Sequence, residues 1–136
     1  MVPISVIYSG TLRCNVTHDN SGVQIITDAP TDNHGRGESF SPTDLVATAL
    51  GACMITTMGI TAQNEHVSLD GTTIAIEKYM STDAPRRIAK IAAHLTMCAG
   101  IPKEYRSRIE HIGNNCPVQK TLHPDVVLDI AYSYPD

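Results

Sequence analysis

Cys116 stands directly before Pro117 in the stretch Cys116-Pro117-Val118-Gln119-Lys120-Thr121-Leu122. Proline favours the first position of a helix, which places Cys116 at or next to an N-cap. There the free N–H groups and the positive end of the helix dipole stabilise a thiolate. Cys-Pro is also an ordinary way to begin a helix, with no chemistry attached. Cys53 lies in a different setting, about eleven residues inside an apolar helix and ~16 Å from its N-terminus, where the dipole adds little. Burial on an apolar face pushes such a thiol above its usual value of about 8.5. A reactive Cys53 therefore needs a cation brought to it. Arg36, in Gly35-Arg36-Gly37-Glu38-Ser39-Phe40, is the prime supplier, because a guanidinium stays charged and both steadies a thiolate and hydrogen-bonds an oxygen substrate. Glu38 is the nearest carboxylate to orient it, and Asp44 is disfavoured by its angle on the helix. The plain alternatives are a solvated loop arginine and four cysteines that act as small hydrophobes.

The elements that must position these groups follow from pattern. Residues 41–64, SPTDLVATALGACMITTMGITAQN, open with Ser41, Pro42 and Asp44 in a capping-box arrangement and run on without another proline. A long helix is expected, burying a stripe of Val46, Ala49, Leu50, Cys53, Thr57 and Ile60. Residues 4–17 read as one strand, and Val23 to Thr27 as its hairpin partner across Asp19-Asn20-Ser21-Gly22. Asp28 to Phe40 is a polar, glycine-rich loop without period, long enough to suggest function. Thr72–Met80 and Arg87–Met97 form a second antiparallel pair. Pro102 to about Gly113 is a shorter helix, Cys116–Leu122 a further turn or two, and Val126–Tyr134 a closing strand. The sum is an α+β fold with a mainly antiparallel sheet, in one domain over residues 1–136.

Composition narrows the classes. A chain of 136 residues is suited to one domain with a real core, and a net charge of -4 without a basic run argues against nucleic acid. The N-terminus reads as a strand rather than a leader, and no segment is expected to reach the ~18 apolar residues of a membrane span. A cytoplasmic address and no membrane partner are the resulting expectations. Cys14, Cys53, Cys98 and Cys116 show no CxxC or Cys/His ligand spacing, so neither zinc nor a disulfide framework is expected. Cys14 and Cys98 sit in strand-like patterns.

GRGESFSPTDLVATALGACM followed downstream by CPVQKTL resembles the OsmC/Ohr family of thiol-dependent peroxidases, in its OsmC-like branch, over nearly the whole chain. The resemblance implies an α+β intertwined homodimer whose antiparallel sheets wrap around long central helices, with active sites at the subunit interface. It matches Cys53 to the peroxidatic cysteine and Cys116 to the resolving one. The activating arginine comes from the loop ahead of the helix in the OsmC branch, which favours Arg36. In the Ohr branch it comes from the first hairpin, where this chain has His18 and Asp19 with Arg13 nearby. The family glutamate that holds the arginine follows the proline of the helix start, and here that position is Thr43, followed by Asp44.

The implied chemistry is reduction of organic hydroperoxides through a Cys53 sulfenate, captured by Cys116 as a disulfide and reset by an external dithiol of lipoyl or thioredoxin type. No metal or organic cofactor is implied. Met54, Ile60 and Leu122 would suit an apolar site. The runner-up is a non-enzymatic stress-response protein of the same fold that senses oxidation or holds a small apolar ligand. A third reading, a hydrolase or acyl transferase with His34 or His111 as base, has no support in the spacing.

Overall fold

The computed structural model describes the chain from Met1 to Asp136. Its internal contacts divide it into two compact units, Met1–Val46 and Ala47–Asp136. The first holds β1 (Ile4–Gly10), β2 (Arg13–His18) and β3 (Val23–Asp28) in an antiparallel meander. The alternation over 4–17 predicts one strand, but the chain reverses at Gly10, Thr11 and Leu12, at φ of +86°, +54° and +63°. Thr11 and Leu12 are poor left-handed residues and give no turn signal. Here the turn is fastened from outside the usual chemistry: the Thr11 hydroxyl donates to Gly10 O at 2.7 Å, and Leu12 N–H to the Tyr8 hydroxyl at 3.2 Å.

The polar loop after β3 is ordered by backbone bonds. Ala29 N–H reaches Leu12 O at 3.0 Å, Gly37 N–H reaches Ala29 O at 3.2 Å, and Asp28 N–H reaches Phe40 O at 3.0 Å. Gly35 is required by space, since a Cβ there would lie 1.7 Å from Ala29 O. The loop ends in the expected capping box. Ser41 N–H donates to Asp44 Oδ2 at 2.8 Å and Asp44 N–H to Ser41 Oγ at 3.1 Å, opening α1 (Pro42–Asn64).

In the second unit, the body of α1 lies against a sheet ordered β4 (Thr73–Met80), β5 (Ile88–Thr96), β6 (Val127–Ser133). β4 and β5 are antiparallel, whereas β6 runs parallel to β5, so this sheet is mixed. The crossover through α2 (Lys103–Gly113) and α3 (Pro117–Thr121) carries the chain back to the end from which β5 started, as a parallel partner demands. Leu50, Met54, Met58, Ile91, Leu95, Ile109 and Cys116 form a core in which each is fully buried.

Two expectations for α1 need correction. Its buried residues are Ala47, Leu50, Gly51, Met54, Met58 and Ala62, whereas Val46 and Ile60 are exposed. The helix is apolar nearly all round, so periodicity could not choose its inward face. For the same reason α1 is, by length and composition, apolar enough to cross a membrane, contrary to the expectation that no segment would be. Its Leu, Val and Ile are joined by Ala, Met and Cys with no charged side chain after Asp44, and together they carry the run past that threshold. In this structure Leu50, Met54 and Met58 of that helix are enclosed by protein.

Candidate active site

Cys53 and Cys116 meet in the second unit. Cys53 projects from the middle of α1 and is half-buried, while Cys116 is the N-cap of α3 and fully buried, and both are free thiols. Pro117 occupies the first turn, as the Cys-Pro pair predicts. The first N–H groups that turn can offer are then those of Val118 and Gln119: Val118 N–H serves Cys53, while Cys116 draws on Gln119 N–H and to a smaller extent on the same Val118 N–H. The Thr57 Oγ1 lies 3.9 Å from Cys53 Sγ, one helical turn along α1.

The two sulfurs are driven apart in acidity. Burial pushes the Cys53 thiol up, but the bonds from Val118 N–H, the Cys116 thiol and Thr57 outweigh it and leave Cys53 below its ordinary value. Burial pushes Cys116 up, and its donation to Cys53 pushes it further. Cys53 is thus the more acidic thiol of the pair and Cys116 the less acidic. Behind Cys116, burial pushes the Tyr132 hydroxyl up to about 12, with Glu110 and Cys116 adding to it. That hydroxyl donates to Asn114 Oδ1 at 2.8 Å and so anchors the turn before Cys116.

The first unit holds the two arginines singled out in the sequence, Arg13 and Arg36. Arg13 and Asp28 are paired across β2 and β3, and two parallel bonds join them, Nε to Oδ1 at 2.7 Å and Nη2 to Oδ2 at 2.8 Å. Glu38 also turns to Arg13, at 3.3 Å from Nη2. The expected pairing of Glu38 with Arg36 is therefore not what forms; Arg36 instead donates to the Thr11 hydroxyl in the β1–β2 turn. Asp44 is engaged in the helix cap, and the Thr43 hydroxyl lies 3.2 Å from Ser41 Oγ.

Of the suggested apolar lining, Met54 is core, Leu122 packs against the core and Ile60 is exposed, so these three do not form one wall. Cys14 lies in β2, and Cys98 just beyond β5, its thiol donating to Ser68 O at 3.5 Å. His34 sits in the left-handed conformation after the 3-10 turn Thr31–Asn33, and His111 lies in the last turn of α2. Sequence reasoning missed Asp28, Tyr132 and the role of Thr57. Only Thr57 carried a usable signal, its spacing of four from Cys53 on a helix.

An α+β chain with a long helix carrying one of two apposed thiols defines a class of small thiol proteins. The sequence pattern of the family described as OsmC-like protein matches residues 35–131. A candidate osmotic stress induced and detoxification response protein from Psychrobacter arcticus 273-4 superposes with a TM-score of 0.92 at 38% identity, over 98% of this chain and 96% of that one. The organic hydroperoxide resistance protein OsmC of Legionella pneumophila superposes at 0.77 with 15% identity, over 98% and 96%. The organic hydroperoxide resistance protein OhrB of Bacillus subtilis does so at 0.70 with 14% identity, over 98% of each chain. No curated protein sequence matches. The chain belongs to the OsmC-like protein family.

Proposed function

We propose that this protein is a thiol-dependent reductase of organic hydroperoxides, acting as a homodimer in a stress response. The observation that carries the reading is the apposition of two free thiols of unequal acidity, Cys53 lowered and Cys116 raised from the ordinary value. The Cys53 thiolate attacks the distal peroxide oxygen, the O–O bond breaks, and the alkoxide leaves to take up a proton, giving Cys53 sulfenic acid and an alcohol. Cys116 then loses its proton and attacks the Cys53 sulfur, releasing water and forming a disulfide before further oxidation can occur. An external dithiol of lipoyl or thioredoxin type returns both thiols. A guanidinium steadies the leaving oxygen, and Arg36 and Arg13 are the two candidates, the latter already held by Asp28 and Glu38.

Thr43 at the position of the family carboxylate favours a second reading, a sensor that is oxidised once and not turned over. Cumene hydroperoxide with dihydrolipoamide separates the two. Multiple turnovers by the wild type, abolished in Cys53→Ser, are expected. A single stoichiometric oxidation to the Cys53–Cys116 disulfide would replace the enzyme reading with the sensor.

A further inference from the structure

We propose that Thr57 is a catalytic hydrogen-bond donor to the Cys53 sulfur, carried on the nucleophile's own helix and so independent of the α3 turn. The purpose of this role rests on the peroxidase reading, but its geometry does not. Residues four apart on a helix share a face, and the Thr57 Oγ1 lies 3.9 Å from Cys53 Sγ. Both side chains are half-buried, so a bond between them is less diluted by water than one at the surface. Threonine in a helix divides its χ1 between few states, one of which returns the hydroxyl to the carbonyl four residues back. Here the oxygen is near the sulfur, and a sulfur that becomes anionic draws the hydroxyl proton to itself.

The other donors at Cys53 belong to the resolving segment. Val118 N–H lies on α3, and the Cys116 thiol gives up its proton when the disulfide forms. Thr57 is the donor whose position does not depend on that segment. Residues Ala49 to Thr57 carry no ionisable side chain apart from Cys53 itself, and Cys116 is the titratable group that acts on it in the second unit. A change in Cys53 ionisation on altering Thr57 thus has few other sources.

The test is the pH profile of Cys53 alkylation by iodoacetamide in the full chain, followed by peptide mass. Thr57→Val keeps the branched shape without the donor, and Thr57→Ala removes both. Each should move the midpoint to higher pH and slow alkylation at pH 7 by about tenfold, the size of one hydrogen bond to a charged group. Thr57→Ser keeps the donor and should stay within about twofold of the wild type. A Thr57→Val profile that overlays the wild type overturns the proposal, as does a Thr57→Ser shift equal to that of Thr57→Val. Alkylation needs no peroxide. A wild type without turnover but with the Thr57→Val shift would remove the peroxidase reading and keep the donor; turnover with unmoved profiles would do the reverse.

Discussion

Arg13 and Asp28 face one another because β2 and β3 set them in register, and the Asp28 carboxylate is almost closed off from solvent, Asp28 being 1% exposed. The guanidinium holds the Asp28 carboxyl below its ordinary range against the opposing pull of burial, with Glu38 N–H and Arg36 adding smaller help. A carboxyl depressed in the folded state lends stability above its unfolded value of about 3.9, and that stability drains away as pH falls through the folded value. Removing the cation reverses the sign, since a buried carboxylate without a partner is relieved by acid. Denaturant unfolding of Arg13→Gln should therefore show its largest deficit against the wild type at pH 7, narrowing at pH 3. Equal deficits at both values would mean that the pair does not set the acidity of Asp28. Cys116 was legible because the Cys-Pro pair is local, whereas Cys53, far from any helix end, was singled out by the family resemblance. This ion pair was not, because its register depends on the turn at Gly10, Thr11 and Leu12, where the Ser9-Gly10 signal was outweighed by the strand-like residues on both sides.

At the scale of elements, α1 shows which part of a helix local sequence controls. Its start was readable from Ser41, Pro42 and Asp44, because a capping box is satisfied within four residues, and the two reciprocal bonds form as expected. Its inward face was not readable, because a helix apolar on every side takes its orientation from what packs on it. Gly51 illustrates this. A Cβ there would sit 2.9 Å from Ile76 Cδ1, so the close approach of β4 selects the Leu50, Gly51 and Met54 side. Likewise the parallel pairing of β6 follows from the path of the α2–α3 crossover rather than from any residue in the strand. Loss of the cap should cost what an N-cap is worth. Ser41→Ala should lower the unfolding free energy by about 1 kcal/mol, read as a lower denaturant midpoint at unchanged slope. No shift would mean that water replaces the serine oxygen without loss.

At the scale of the molecule, the meander of the first unit is the clearest sign of incompleteness. A strand at the surface of a finished fold shows one apolar face to the core and one polar face to water. β1 shows apolar groups on both, with Ile4 and Val6 near 60% exposed and Ile7, on the opposite face, 67% exposed. Val23 and Ile25 of β3 continue the same surface at 61% and 45%. A patch of that kind is covered in working proteins, and the occupant we propose is a second copy of this chain. With a net charge of -4 on each copy, charge opposes such an association, so the apolar strands must drive it and added salt should strengthen it. Light scattering on the purified protein should return twice the chain mass of 14.7 kDa, at low and high ionic strength. Ile7→Lys, a charge set into the middle of β1, should shift the population toward one chain mass, most of all in low salt. A wild type that remains a single chain at every concentration would leave the meander without its partner and the dimer reading without support.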